Sequence, residues 1–430
     1  MMAQYACGAS DPRHRRLSTW LSARLRLACL FVLLSGLLAC NIHQPTQPMQ
    51  ASSLASPAPE LTSTFTALPT RAAFVTPLPT STQVTVTPGA AADATEIPRI
   101  PTELPRIEAQ SAAKLAPLTS IRFGPWELAM ALAWSPDGKL LAISAGEYLH
   151  LYRAADWQRL SSTRIGSLTH SLAFSPDGVW LAAGSRDGYL RLWSTDALMA
   201  AADAPPRWSQ QAHRKGVNMT AFSPRLVDGD WLLASGGNDA VARFWELESG
   251  ENIGLMVGGT FAVPSIAFMP DGKNLAVTNG DRIRLREIGT ERITGTLAAD
   301  VPLYSLAISP DGRWLASGGS DNRIRLWEPQ TAYRTGQEKY PQPVMLSGHN
   351  GRLETYQALI WQVAFNPQGD LLASVGGDGN LYLWDILLQQ PVISRFAHIG
   401  GATCLAFRPD GQLLATGGLD GNVLIWGIGQ

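Results

Sequence analysis

Ala133-Trp134-Ser135-Pro136-Asp137-Gly138 is the first copy of a phrase that recurs seven times along this chain and decides its fold. Each copy joins a short apolar run to a turn, in which proline sets φ and glycine takes a positive φ. The prolines recur from Pro136 to Pro409 with a mean period of about 45 residues, which is typical of the four-stranded blades of a β-propeller. The other copies begin at Ala173, Ala221, Ala267, Ala307, Ala364 and Ala406.

The rest of each copy predicts strands rather than helices. In the fifth copy, residues 314–317 form a second apolar run, residues 318–322 a polar cluster, and residues 324–327 a third run. Short runs bounded by turn residues are typical of β-strands. The sequence therefore predicts an all-β, seven-bladed propeller over residues 116–430.

Residues at fixed positions in these copies resemble the WD40-repeat family. In that family a His, a Ser or Thr, an Asp and a Trp form a hydrogen-bonded network inside each blade. The resemblance implies this structural role for three complete sets in the third, sixth and seventh copies: His213, Ser235, Asp239 and Trp245; His349, Ser374, Asp378 and Trp384; and His398, Thr416, Asp420 and Trp426.

The remaining copies depart from the family pattern. The second and fifth keep the Asp and the Trp without a His in register, and Tyr152 and Arg286 stand where the first and fourth should have Trp. A His, a Ser and an Asp together also suggest a catalytic triad. Three copies of one network favour a structural role instead, because an active site would occur once. Such a network pairs buried polar groups, each of which would otherwise cost about 1–3 kcal/mol.

The last copy supplies only three strands, because the chain stops four residues after Trp426. Residues 117–123 match residues 391–396 of the sixth copy, and Phe123 precedes Trp134 by eleven residues, as Phe396 precedes Phe407. We therefore expect the N-terminal segment to complete the last blade. This pairing would remove the open strand edges that promote aggregation.

Residues 1–39 are predicted to be a lipoprotein signal peptide. An arginine-rich start precedes an apolar run at residues 27–38, which is too short to span a bilayer comfortably. The run ends in Leu37-Leu38-Ala39-Cys40, which is similar to the lipobox of bacterial lipoproteins. That resemblance implies a lipid on Cys40 and a place on the outer side of a bacterial membrane. An ordinary secretory signal and a short membrane anchor are the alternatives.

Residues 40–115 are rich in Pro, Thr, Ser and Ala, and they contain few aromatic residues. Such a stretch buries too little apolar surface to fold, so we predict a disordered, extended tether. Processing at Cys40 would leave Cys404 as the only other cysteine, which excludes an intramolecular disulfide. Cys404 adjoins an apolar run and is expected to be a packed side chain.

Composition argues against several functions. The formal net charge is −1, and no basic stripe with interleaved aromatic residues is present, so nucleic acid is not an expected partner. Phosphate-binding loops and zinc motifs are absent from the sequence, so no cofactor or metal is predicted. Asp228 and Asp230 in the enlarged third turn could contact a cation, but two acids on a loop are usually only solvated.

Partner binding is predicted at the rim of the channel, because packing between blades buries the strand faces and leaves the loops free. The family resemblance implies contacts at the start of each innermost strand and beside each turn Asp. Tyr304, Trp361 and the insertion at residues 351–360 stand out, although both rings could instead plug the channel. The predicted rim is Met130, His170, Arg186, Asn218, Asn238, Tyr304, Ser320, Trp361 and Thr403, with Pro264, Gly377 and Leu419 at equivalent positions.

These observations predict a monomeric, non-catalytic scaffold that binds a protein or peptide and is held at a membrane by lipid. The alternative is an extracytoplasmic propeller enzyme, a hydrolase or lyase, with its site at the channel mouth. An enzyme would need several acids or histidines at one end of the channel, whereas the predicted ring offers only His170 and Arg186.

Overall fold

The fold is described from a computed structural model over residues 100–101, 103–124, 126–227, 229–257, 259–290, 292–332 and 340–429. The predicted signal peptide, Cys40 and the tether as far as residue 99 lie outside these residues. Asp228, one of the two acids considered for a cation, also lies outside them.

Seven antiparallel four-stranded sheets confirm the predicted propeller. In the first six blades the four strands follow one another along the chain. The strands of blades 1–3 are β2 (Ala129–Trp134), β3 (Leu140–Ala145), β4 (Tyr148–Arg153) and β5 (Arg159–Arg164); β6 (Thr169–Phe174), β7 (Trp180–Ser185), β8 (Tyr189–Ser194) and β9 (Trp208–Gln211); and β10 (Val217–Phe222), β11 (Leu233–Gly237), β12 (Val241–Trp245) and β13 (Asn252–Val257).

The next three blades repeat this order, and the seventh takes its fourth strand from the N-terminal side. Their strands are β14 (Ile266–Phe268), β15 (Asn274–Asn279), β16 (Arg282–Glu287) and β17 (Ile293–Ala298); β18 (Leu303–Ile308), β19 (Leu315–Gly319), β20 (Arg323–Trp327) and β21 (Val344–Ser347); β22 (Ile360–Phe365), β23 (Leu371–Gly376), β24 (Asn380–Asp385) and β25 (Gln390–Phe396); and β26 (Ala402–Phe407), β27 (Leu413–Gly418), β28 (Asn422–Ile428) and β1 (Leu115–Arg122).

Helical structure is scarce in the described residues. One helix, α1 (Thr195–Ala200), begins at Ser194, whose side chain caps it by accepting the Ala197 N–H. Three short 3-10 turns lie at Ala112–Lys114, Pro329–Thr331 and Tyr356–Ala358. No helix in this part of the chain is long and apolar enough to cross a membrane.

The first strands of successive blades contact one another around a closed ring, and β26 contacts β2. We call the end that carries the Pro-Asp-Gly turns the lower face. The opposite end, which carries the loops before each first strand, is the upper face. The direction of each strand therefore places the predicted rim on the upper face.

β1 closes the ring as predicted, by pairing antiparallel with β28. Pro117 lies opposite Trp426, just as Pro391 lies opposite Trp384 in blade 6, and both outer strands shift register directly after the proline. The ladder places Arg122, rather than Phe123, at the position equivalent to Phe396. The predicted alignment was therefore off by one residue at its end.

Residues 103–114 correct the predicted boundary of the tether at residue 115. This segment, which we call the strap, crosses the lower face before β1 begins. Leu104, Ile107 and Ala112 are buried in it. The Ile107 N–H donates to the Gly411 carbonyl at 2.8 Å, and the Asn366 side-chain amide donates to the Ile107 carbonyl at 3.2 Å. The apolar residues of the strap gain enough buried surface on the propeller to order it.

Tyr152 and Arg286 occupy the Trp position of their blades, as the sequence predicts. Tyr152 pairs with Leu141 as Trp193 pairs with Leu181. The ring of Trp157, which the repeat pattern did not predict, is buried beside Trp134 with their centroids 6.0 Å apart.

Arg286 in blade 4 replaces the Trp with a different contact. Its guanidinium donates to the Val257 carbonyl at 2.6 Å, so it reaches from blade 4 to the outer strand of blade 3. The substitution therefore exchanges a contact within one blade for a contact between two blades.

A truncated chain that begins at residue 103 should remain monomeric, whereas one that begins at residue 126 should aggregate. The shorter chain lacks the strap and β1, which exposes the edge of β28 and opens the ring. Thermal melts and size-exclusion chromatography of the two chains test this. Equal melting temperatures and equal monomer fractions would show that β1 does not close the ring.

Candidate functional site

Seven predicted rim residues lie around one cavity at the upper mouth of the channel. The cavity measures about 100 Å³, which is room for a few water molecules and not for a drug-sized ligand. Each residue comes from the start of the first strand of a different blade, so the repeat itself places them in a ring. They are Met130, His170, Asn218, Pro264, Tyr304, Trp361 and Thr403.

Trp361 and the insertion before it form the most aromatic part of this mouth. The Tyr356 ring lies 6.5 Å from the Trp361 ring, centroid to centroid. The Trp361 ring also lies against Gly401, where an added Cβ would come within 3.3 Å of it. The insertion is anchored to blade 5, because the Asn322 side-chain amide donates to the Gly351 carbonyl at 2.6 Å. The insertion therefore packs beside Trp361, and none of its residues lines the cavity itself.

Two predicted rim positions are not available to a partner. Thr403 is buried, and its hydroxyl donates to the carbonyls of Ala129 and Gly417, which joins blade 7 to blade 1. Gly377 is covered by the insertion, since a Cβ there would lie 2.0 Å from the Tyr356 carbonyl oxygen. Counting along the repeat located these positions correctly but could not reveal what covers them.

Two asparagines of the predicted rim bond to each other. The Asn218 amide donates to the Asn238 side-chain oxygen at 2.8 Å, and the Asn238 amide donates to the Lys215 carbonyl at 2.8 Å. Both side chains are half-buried, so they hold the loops of blade 3 in place.

The remaining rim positions differ in exposure. Arg186 is exposed, and Met130, His170, Tyr304, Ser320, Trp361 and Leu419 are half-buried. Tyr304 and Trp361 line the cavity and are only half-buried, so part of each side chain remains accessible to a partner.

The electrostatics of the mouth give no support to the enzyme alternative. No Asp or Glu lines the cavity. Burial, with a smaller contribution from the positive charge of Arg186, lowers the pKa of His170 to about 4. His170 is therefore neutral near pH 7. No cluster of His, Cys, Asp and Glu among the described residues could hold a metal ion.

The three His-Ser/Thr-Asp-Trp sets lie inside their blades and not at the channel mouth. In blade 3 the Trp245 indole N–H donates to Ser235 Oγ at 2.9 Å, and His213 Nε2 lies 2.8 Å from the same oxygen. His213 Nδ1 lies 2.7 Å from Asp239 Oδ1. The buried Trp245, His213 and Ser235 groups thereby have hydrogen-bond partners inside the blade.

Blades 6 and 7 repeat this geometry. His349 Nε2 lies 2.8 Å from Ser374 Oγ, and His349 Nδ1 lies 3.0 Å from Asp378 Oδ2. His398 lies 2.9 Å from Thr416 Oγ1 and 3.0 Å from Asp420 Oδ1. Trp384 and Trp426 each donate to the hydroxyl of their own set.

The stabilisation of blade 3 by its His-Ser-Asp-Trp set depends on pH through Asp239. Burial alone would raise its pKa, but the hydrogen bond and charge of His213, with the charge of Arg243, lower the pKa to about 2. An unfolded Asp titrates near 3.9. The lower folded value means that the interaction is fully present above about pH 4 and is lost as the pH falls through about 2.

Cys404 is buried, and its thiol lies 3.7 Å from the Ala129 carbonyl. Burial raises the pKa of the Cys404 thiol to about 12, so it stays protonated and unreactive.

The family model described as "WD domain, G-beta repeat" matches residues 163–194, 292–328, 343–385 and 389–427. These segments cover blades 2, 5, 6 and 7 in part or in full. The other three blades have the same four-stranded order.

This chain is a seven-bladed propeller that contains WD40 repeats.

Curated relatives are similar to this WD40 propeller over part of their length. Pre-mRNA-processing factor 17 of Homo sapiens is 25% identical over 252 residues, which are 57% of this chain and 40% of that protein. WD repeat-containing protein slp1 of Schizosaccharomyces pombe is 29% identical over 201 residues, which are 43% of this chain and 38% of that protein. Serine-threonine kinase receptor-associated protein of Gallus gallus is 24% identical over 238 residues, which are 54% of this chain and 61% of that protein.

The chain spans about two-fifths of the length of the first two of these relatives. The repeats and the relatives together support a non-enzymatic scaffold of the protein-interaction kind.

Changing Asp239 to Ala should destabilise the WD40 propeller by about 1–3 kcal/mol, because His213 loses its acceptor in a buried site. Asp420→Ala should have a similar effect in blade 7. Denaturant melts measure both, with Glu251→Ala, an exposed acid of blade 3, as the control. A loss of partner binding at unchanged stability would instead assign that set a binding role.

Proposed function

We propose that this protein is a membrane-tethered scaffold whose upper mouth binds a protein or peptide partner. The observation that carries the proposal is the convergence of Tyr304, Trp361 and the insertion at residues 351–360 on one side of the channel mouth. Aromatic side chains beside a rigid opening are frequent anchors of protein interfaces.

Apolar surface continues outward from these aromatic residues. Ile399, in the loop between blades 6 and 7, is 71% exposed, and Leu353 in the insertion is also exposed. The Ile399 N–H donates to Asp420, so this loop is held by the buried network of blade 7. A fixed apolar patch of this kind suits a partner that presents apolar side chains.

Positive charge lies on the upper loops of blades 2 and 3, where Arg186, Arg214 and Lys215 are exposed. In blade 1, Glu127 accepts the Gly124 N–H and Glu147 pairs with Arg164 at 3.1 Å. In blade 2, Asp187, next to Arg186, pairs with Arg191 at 2.7 Å. An acidic segment on the partner would therefore complement the blade 2 and 3 side of the mouth.

The strap enters the propeller on the face opposite the mouth. The strap reaches the propeller on its lower face, where it contacts Gly411 and Asn366. A tether that arrives at this face leaves the opposite face accessible to a partner. The membrane attachment itself rests on the resemblance of residues 37–40 to a lipobox.

The double change Tyr304→Ala and Trp361→Ala should weaken partner binding at least about thirtyfold, because each aromatic anchor contributes about 2 kcal/mol or more. The partner is first captured from intact membranes, and its affinity is then measured for each variant. Leu387→Ala with Leu388→Ala, two exposed apolar residues on the lower face of blade 6, is the control.

A thermal melt of the same variants separates binding from stability. If the double aromatic variant loses stability, the two rings mainly plug the channel. If it stays folded and binds fully, the partner site lies on another face.

Changing Cys40 to Ser should abolish lipid labelling and release the protein from the membrane. The measurement is metabolic labelling with a radioactive fatty acid, followed by membrane fractionation. Cys7→Ser is the control, because that residue precedes the apolar run. Undiminished labelling of the Cys40→Ser protein would rule out this anchor.

A further inference from the structure

Two blades carry a glycine at one position of their outer strand, where the other five carry a larger residue. Gly254 of β13 lies opposite Phe244, and Gly295 of β17 lies opposite Leu285 at the equivalent position of blade 4. The equivalent residues of the other blades are Ser161, Trp208, Val344, Ile393 and Thr119. Each glycine leaves room on its sheet for an apolar side chain from elsewhere.

In blade 4 the chain itself fills this room. A Cβ added to Gly295 would lie 2.6 Å from the Cβ of Ala332, which follows the short turn after β20. Ala332 is 3% exposed and packs in the same core as Leu285. Its ψ of 138° shows that the backbone is extended at this point. The occupant in blade 4 is therefore an apolar side chain on an extended segment.

In blade 3 no side chain of the described residues takes the place of Ala332. A Cβ added to Gly254 would meet only Phe244, at 3.5 Å. The short linker after β16 does not cover the position, and Ile288 in that linker stays half-buried. Leu247 and Ile386, which follow their own third strands at the same distance, are 5% and 6% exposed. The outer groove between blades 3 and 4 thus lacks an occupant that it has room for.

The room over Gly254 is an apolar cavity on the lower face. It measures about 350 Å³, which is within the size range of ligand pockets. Buried Leu232, Phe244 and Met256 line it, together with Val227 of the enlarged third turn. Among the described residues no charged side chain lines it. A charged group would lose its hydration there without a partner, so the cavity suits an apolar side chain.

Apolar surface continues from the cavity along β13. Ile253 and Leu255 also line the cavity, and they are 58% and 49% exposed, while Val257 is 52% exposed. β13 is the outermost strand of its sheet. The ladder position of Leu255 is Met345 in blade 5 and a Ser or Thr in the other blades: Ser162, Ser209, Thr296, Ser394 and Ser120. An exposed apolar patch beside a cavity marks an interaction surface.

We propose that this cavity and β13 bind an extended, uncharged segment of a partner protein. The segment places one large apolar side chain over Gly254, as the chain's own segment places Ala332 over Gly295. Leucine, methionine and phenylalanine suit the cavity, because its volume exceeds what the methyl group of an alanine would fill. The site lies on the lower face, so the inference does not depend on the upper mouth binding a partner or on a lipid at Cys40.

Disulfide tethering in the full-length chain tests the proposal. Cys7, Cys29 and Cys40 are changed to Ser, and the buried Cys404 is kept. Thr290→Cys then places a thiol at the cavity, which Thr290 lines. The probes are the acetylated tripeptide amides cysteine-serine-phenylalanine, cysteine-serine-serine and cysteine-serine-lysine, added as disulfides. Intact mass measures the concentration of 2-mercaptoethanol at which half of the protein stays tethered to each probe.

Ser249→Cys is the matched control in blade 3. The Ser249 hydroxyl accepts the N–H of the second residue after it, and the Thr290 hydroxyl does the same in blade 4. The groove beside Ser249 already holds the buried Trp208 ring at the position of Gly254. The phenylalanine probe should withstand at least tenfold more reductant than the serine probe in the Thr290→Cys protein, and less than threefold more in the Ser249→Cys protein.

The lysine probe should do no better than the serine probe. Equal retention of the phenylalanine and serine probes in the Thr290→Cys protein would overturn the proposal. The same preference for phenylalanine in both proteins would also overturn it, because it would show general adhesion to apolar surface. A lysine probe that matches the phenylalanine probe would contradict the apolar character of the site.

Gly254→Leu fills the cavity from within and should abolish the preference for phenylalanine without lowering the melting temperature. Should that variant not fold, Leu255→Ser should lower the preference at least threefold, whereas Met345→Ser at the equivalent ladder position should not. An unchanged preference in the folded Gly254→Leu protein, or in Leu255→Ser, would overturn the proposal. A wild-type dimer that Gly254→Leu converts to a monomer in size-exclusion chromatography would assign the cavity to a second copy and overturn the partner segment.

Discussion

The pairing of β1 with β28 is the constraint on which the rest of this propeller depends. Seven blades can bury their faces only if each has a neighbour on both sides, so an open ring would expose two sheet faces and the edge of β28. The chain meets this requirement by taking one strand from the far end of its sequence. The channel mouth keeps its geometry for the same reason, because each rim residue is positioned by a different blade.

Residues that depart from the repeat make contacts that the other blades lack. Asn366 stands where four other copies have Ser, and it holds the strap. Arg286 replaces a Trp and bonds to the neighbouring blade, while the insertion before Trp361 covers Gly377 and shapes the mouth. The repeated positions thus stabilise the blades. The exceptional positions make the contacts by which the upper and lower faces differ.

The repeat predicted the blades, the closing strand and the ring of mouth residues, because turn chemistry and strand register are local and recur in phase. It did not predict the strap. A segment such as residues 103–114 folds only against two grooves of the completed ring, and its composition is close to that of the tether before it. Nor did it predict that Thr403 is buried, since that depends on the approach of Ala129 from blade 1.

Hydrogen exchange along β28 tests the closure of the ring most directly. β28 lies between β27 and β1, as β24 lies between β23 and β25 in blade 6. If β1 closes the ring, the amides of residues 422–428 should exchange as slowly as those of residues 380–385, within about tenfold. Exchange about a hundredfold faster at every second amide of β28 would show a free edge, and it would contradict the closed ring.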